Sequence, residues 1–159
     1  MDSKVLDDLT VADFNTDTVR AYRNRFRAVR QGSSWTDLDD ERFLRAVGAA
    51  MVSREDGKLH PTFGGLLMFG NDYDIVRKCP HYFLDYQETL DPTIRWTDRV
   101  HSGDGMWSGN LFDFLFPRES QTCRVSEDPF SKLNGIFRVD DTPMHKAIRE
   151  ALANCLFKR

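Results

Sequence analysis

Ala50-Met-Val-Ser-Arg-Glu-Asp-Gly-Lys-Leu-His-Pro-Thr-Phe-Gly-Gly-Leu-Leu-Met-Phe-Gly70 changes its periodicity part-way and so sets a hairpin beside a helix. The runs Ala50 to Arg54 and Lys58 to His60 flank Glu55-Asp-Gly57, and Asp-Gly readily takes the positive φ values of a type I′ turn. These features predict two short antiparallel strands. Thr62 then stands where an N-cap is needed, ahead of an apolar run that Gly70 can end. Gly64 and Gly65 are poor helix formers, so their place inside that run points to close backbone approach by a neighbouring element. They lack the Gly-Lys-Ser/Thr ending of a P-loop and do not fit GxGxxG, which leaves tight packing as their role. The expected class is α+β: a single domain with helices packed on a small, mainly antiparallel sheet with hairpins.

Upstream, Asn15-Thr-Asp-Thr18 offers caps for a helix to about Val29, with Val19, Tyr22, Phe26 and Val29 on one apolar stripe. Arg20, Arg23, Arg25, Arg27 and Arg30 occupy its other faces. Two readings fit that pattern. One is an ordinary amphipathic helix with a solvated basic face; the other is a helix whose Arg20, Arg23, Arg27 and Arg30 contact a nucleic-acid backbone. After the break at Gly32-Ser-Ser34, Asp39 can cap a second helix, with Asp40 and Glu41 complementing its dipole and Gly48 ending it. Residues 1–14 read as an acidic arm or linker, ordered in part at most, with Val5, Leu6, Leu9, Val11 and Phe14 able to adhere to the body.

Downstream, Pro80 to Tyr86 and Thr93 to Val100 are rich in aromatic and β-branched residues and predict two strands joined through Leu90-Asp-Pro92. Ser108 or Asn110 is placed to cap a further helix, which Pro117 limits to about Phe116. Asp98, His101 and Asp104 can be assembled into an acid/base or metal cluster, but there is no ligand motif and Gly103 and Gly105 mark a polar turn. Asn134-Gly135 marks another turn, ahead of a last strand from Gly135 to Val139. The terminal stretch has Thr142 as N-cap, Pro143 at the first helical position, and Met144, Ile148, Ala151, Leu152 and Cys155 on an apolar stripe. Glu150 and Asn154, four apart, share a face of that helix. A carboxylate there can take a proton from water, and an amide oxygen one turn away can hold a hard cation such as Mg2+.

With 159 residues, 40% hydrophobic and 30% charged, the chain has enough apolar material for one core and is not of disordered composition. A net charge of −3 provides no global attraction to nucleic acid or anionic membrane, so any such binding must be local. Cys79, Cys123 and Cys155 have no ligand spacing and are odd in number, which suits reduced thiols and a cytoplasmic location. No signal core or membrane-length apolar run is present, and a membrane is not an expected partner.

Arg149-Glu-Ala-Leu-Ala-Asn-Cys-Leu156, Pro61 to Gly70 and Trp107-Ser-Gly-Asn-Leu-Phe-Asp-Phe114 resemble segments of bacterial RecG-related proteins, regarded as ATP-dependent DNA helicases or transcriptional regulators. The resemblance runs from about Asp13 to Arg159. In that family an AlbA-like, Schlafen-type DNA-binding domain comes first, and the segment matching 149–156 opens a divergent histidine-kinase-like ATPase of the superfamily shared with gyrase. Its Glu-x-x-x-Asn box implies Glu150 as the general base and Asn154 as the Mg2+ ligand and Mg-ATP contact. Lys158 stands where the family often has His.

The resemblance therefore implies an arm or linker over 1–14, an α+β connecting domain over 15–140, and the first helix of a truncated ATPase-like domain over 141–159. The glycine-rich lid and Asp-x-Gly segment of that ATPase class are not found in this sequence. ATP and Mg2+ are accordingly expected of a parent hydrolase and not of this fragment, whose partners would be DNA and the flanking domains of the same chain. A stand-alone DNA-binding module using the Arg20 to Arg30 helix is the alternative, and a small enzyme using Asp98, His101 and Asp104 is a third reading.

Overall fold

The computed structural model describes residues 3–88, 93, 95, 98–116, 147, 150, 151 and 154. The Leu90-Asp-Pro92 and Asn134-Gly135 turns, the 135–139 strand, the Thr142 cap and the stripe residues Met144, Ile148, Leu152 and Cys155 lie outside them. The chain divides into two units, Met1–Asp113 and Phe114–Arg159. The first is an α+β assembly with two small antiparallel sheets.

Strands β1 (Ala50–Val52) and β2 (Leu59–Pro61) form the predicted hairpin, with Met51 opposite His60. Its turn differs from type I′. Gly57 alone takes positive φ, at 71°, and the loop closes when the Ser53 amide donates to the Lys58 carbonyl at 2.8 Å. Asp56 keeps an ordinary φ because its carboxylate accepts from the Lys58 amide at 2.9 Å, an Asx-type arrangement that the Asp-Gly rule ignores.

Helix α1 (Thr16–Val29) begins where the Asn15 carboxamide accepts from the Thr18 amide at 3.0 Å, and α2 (Asp40–Ala46) where Asp39 accepts from the Arg42 amide at 2.8 Å. Gly48, at φ 78°, ends α2 as its position predicts. On α1 the buried stripe stops short. Val19 is buried, but Val29 is 71% exposed, and the ring lying parallel to Phe26, at 6.1 Å, is that of Trp35.

Helix α3 (Phe63–Phe69) is capped by Thr62, whose hydroxyl accepts from the Gly65 amide at 3.0 Å and lies 2.9 Å from the Gly48 carbonyl oxygen. A Cβ on Gly65 would stand 2.0 Å from the Ala49 carbonyl oxygen, so the close approach inferred from the glycines is real there. Leu66, on one side of α3, packs with Leu6, Leu9 and Ile75; Phe69, on another, packs with Phe14, Val19, Leu44, Ala49 and Ala50. Fully burying a Leu or Phe contributes about 1.5–3 kcal/mol, so this one short helix anchors both halves of the core.

Residues 3–14 belong to the core rather than forming a loosely attached arm. Val5 pairs antiparallel with Thr62, the Leu6 amide donates to the Pro61 carbonyl at 2.9 Å, and Leu6, Leu9 and Phe14 are buried. The free edge of β2 provides backbone partners and the core provides apolar ones, which together offset the ordering entropy. His60 adds a polar tie: Nδ1 donates to the Leu9 carbonyl at 2.6 Å, and Nε2 lies 2.9 Å from the Asp56 carboxylate. Both ring nitrogens face acceptors, so only the imidazolium donates to both.

A fourth helix, α4 (Asp72–Lys78), was not anticipated, although its acidic first turn and Arg77-Lys78 ending are ordinary helix signals. Asn71 joins it to α1 by accepting from the Asn15 amide group at 2.9 Å. The second sheet pairs β3 (Asp85–Glu88) with β4 (Asp98–His101), later in the chain than the predicted strands. Residues 80–83 are not strand because the Tyr82 amide closes a turn on Cys79 and its hydroxyl donates to the Gly109 carbonyl at 2.8 Å. Cys79 is a free, half-buried thiol, and among the described residues no helix is long and apolar enough to cross a membrane.

In an unobstructed helix Gly→Ala stabilises by about 1 kcal/mol. Gly65→Ala should instead destabilise, by about 3 kcal/mol, because the added methyl meets backbone; a urea titration showing a gain or no change would remove the contact from consideration.

The Leu9 carbonyl first, and then Asp56, raise the His60 pKa above its ordinary 6.5. Its contribution to stability is full below that value and lost as pH rises through the raised folded-state value. Unfolding free energy should therefore fall across that window, and His60→Gln should abolish this part of the slope.

Candidate functional site

Glu150 and Asn154 are both helical and both exposed, as are Ala147 and Ala151. Their spacings of three and four put all four on one face, with the two polar residues about 6 Å apart along the axis. Ala151, expected on the apolar stripe, thus belongs to the open face instead. A carboxylate and an amide oxygen so placed can act on one ligand from the same side. Mg2+ retains several waters and takes phosphate oxygens, so one or two protein oxygens are a sufficient contribution.

The arginines of α1 serve different ends. Arg20, Arg23 and Arg27 line a groove of about 380 Å³ with Asp40 and Glu41 of α2 across from them. Arg23 is the half-buried one, with its side chain 13% exposed. It donates to the Asp40 carboxylate and the Leu38 carbonyl, and its guanidinium carbon lies 5.0 Å from the centre of the Phe43 ring. Its donors are taken up in joining α1 to the start of α2. Arg20 pairs with Asp17 at 3.2 Å where both are exposed, a contact worth under about 1 kcal/mol. Arg27 donates to the Thr36 carbonyl at 3.3 Å, and Arg30 is exposed.

Asp98, His101 and Asp104 are held apart in role. His101 faces Asp85 across the β3–β4 ladder, has Nδ1 2.9 Å from the Ser102 carbonyl oxygen, and stacks on Phe83. Asp98 faces Glu88 in the same ladder, and Asp104 accepts from the Met106 amide at 2.9 Å within its turn. The neighbouring Asp85 is gripped by two Arg99 nitrogens at 2.9 and 3.0 Å, which hold its carboxyl below the usual range. Among the described residues no group of three or more His, Cys, Asp or Glu side chains is arranged to hold a metal.

The polar cluster that sequence reasoning missed surrounds Asn110, which is completely buried. Its carboxamide accepts from the Asp113 amide at 2.9 Å, capping the helical residues 111–116, and donates to the Gly70 carbonyl at 3.0 Å and the Thr18 hydroxyl at 3.1 Å. The Thr18 hydroxyl donates in turn to Asp113 at 2.6 Å, and Ser108 donates to the same carboxylate. Asn followed three residues later by Asp was readable as a cap; the reach to Thr18 and Gly70 was not.

Beside this cluster Gly109, at φ 76°, lies against Asp72, whose Oδ1 is buried without a hydrogen-bond partner among the described residues. Burial, with Asp72 adding to it, pushes the Tyr82 hydroxyl up, so it stays protonated and donates. The cluster is a clamp joining α1, the end of α3 and the 108–113 segment.

Asn110→Ala should cost about 3 kcal/mol, since it leaves buried partners unsatisfied, whereas Arg30→Ala on the surface should change stability by under about 0.5 kcal/mol. Thermal unfolding of the two variants compares them directly, and equal effects would contradict the clamp.

A family model described as Domain of unknown function (DUF8451) matches residues 1–85. No curated protein and no solved structure matches the chain.

Proposed function

The chain belongs to the family described as Domain of unknown function (DUF8451), whose matched residues end where β3 begins, and from the resemblance of residues 61–70, 107–114 and 149–156 we propose that it is a connecting module of a RecG-related, ATP-dependent regulator. In this reading residues 1–14 lead from a DNA-binding domain, 15–140 connect, and 141–159 begin an ATPase domain in a cytoplasmic protein. The observation that carries it is the shared, exposed helical face of Glu150 and Asn154 beside two small alanines, which leaves room for a ligand to approach.

The donor set fits the group. Asn154 would hold Mg2+ through its amide oxygen, and Glu150 would take the proton of the attacking water. Bound ATP with Mg2+ supplies the phosphoanhydride whose hydrolysis drives the parent hydrolase. The remaining polar side chains support a connecting role, since Arg23, Asn110, Asp113 and Asn15 are taken up in holding elements together.

A second reading, DNA contact by α1, has an observation of its own: Arg27 and Arg30 are exposed and have no carboxylate partner among the described residues.

In the parent protein, Asn154→Ala should abolish Mg-ATP binding in a fluorescent-nucleotide titration. Glu150→Gln should retain binding and lose roughly 10²–10⁴-fold in hydrolysis. Nucleotide binding untouched by Asn154→Ala would sink the assignment.

A further inference from the structure

The C-terminal end of α1 and the 3-10 turn Ser34–Asp37 form a corner that shares Arg27 with the groove. Trp35 is 42% exposed, yet it is rigidly backed: its ring lies parallel to Phe26, 7° apart in plane, and Phe26 sits edge-on to the buried Phe43 at 5.3 Å. The backbone beneath the indole is tied down as well. Ser33 accepts from the Trp35 amide at 3.3 Å, and the Thr36 carbonyl receives guanidinium groups from Arg27 at 3.3 Å and Arg23 at 3.5 Å. An exposed aromatic ring held this firmly loses little freedom when something stacks on it.

The charges around it favour an anion. Arg20 is paired with Asp17 near the far end of α1, and Arg23 with Asp40. Arg27 and Arg30 therefore supply positive charge without carboxylate partners among the described residues, although the whole chain carries −3. Asp37, the nearest acid in sequence, lies 3.4 Å from the Thr36 hydroxyl. Exposed Val29 adds apolar surface between the two arginines in sequence.

We infer that Trp35, Arg27 and Arg30 form a docking surface for single-stranded nucleic acid, with a base stacked on the indole and the adjoining phosphates held by the two guanidinium groups. The inference rests on the second reading above and narrows it. Alternating flat rings and phosphates are what an aromatic platform flanked by cations matches. A duplex keeps its base faces inside the stack, so it can use the arginines but gains nothing from the indole.

The test uses the full 159-residue chain with labelled oligothymidylate and a duplex of equal length, followed by fluorescence anisotropy at low and moderate salt. Single-strand binding should be tighter, weaken with salt, and fall about tenfold in Trp35→Leu, which keeps apolar packing on Phe26. Trp35→Phe should retain most of the affinity, and Arg27→Glu with Arg30→Glu should remove binding to both probes. Duplex preferred over single strand, or single-strand binding indifferent to Trp35→Leu while the Arg variants abolish it, overturns the platform and leaves the basic-helix reading standing. Absence of binding to either probe at low salt overturns both. Tighter binding to phosphatidylserine vesicles than to the oligonucleotide likewise overturns the inference. Should Trp35→Leu unfold, the ratio of single-strand to duplex affinity in the wild-type and Trp35→Phe proteins decides the matter.

Discussion

The Ala49 carbonyl receives the Thr62 amide at 2.9 Å and passes so close to Gly65 that no side chain fits between them. This contact sets α3 directly against the start of β1, with Thr62 serving as helix cap and strand partner at once. Because α3 presents Leu66 to one cluster and Phe69 to the other, its position fixes both. The N-terminal segment follows from the same contact, since Val5 pairs with Thr62 and the Phe63 amide donates to the Lys4 carbonyl at 2.8 Å. A hairpin, a helix and an arm thus share one small patch of backbone.

Around that patch, buried and half-buried polar groups are used for joining. Asn15 caps α1 and bonds Asn71; Asn110 caps residues 111–116 and bonds Gly70 and Thr18. Each amide side chain satisfies orphan groups at a helix end while crossing to a second element, so the cost of burying it is offset twice. Such carboxamides are not free for chemistry. Polar residues open to a ligand lie instead at surfaces, among them Glu150 and Asn154 on one helical face and Arg27 and Arg30 at the end of α1.

Charge follows the same division. Arg23 is absorbed into packing by Asp40, two carbonyls and the Phe43 face, although in sequence it looks like its neighbours four and seven residues on. A basic stripe therefore overstates the cations available to a partner. His60 shows the converse, a residue with no sequence signal that becomes the link between the arm and the hairpin turn.

The sequence by itself determined the α+β class, a cap within Asn15–Thr18, the caps at Asp39 and Thr62, the left-handed Gly48 and the helical spacing of Glu150 and Asn154. These depend on residues one to four apart, so a short window contains their whole cause. Tertiary structure alone decided that residues 3–14 join the core, that Arg23 is half-buried while Arg30 is exposed, that Val29 is left exposed while Trp35 stacks on Phe26, and that the second sheet begins only at Asp85. Each of those outcomes turns on a partner remote in the chain, as when Thr18 meets Asp113 at 2.6 Å across 95 positions. Local patterning states which side chains can bury or bond; which of them do so depends on the elements that folding brings alongside.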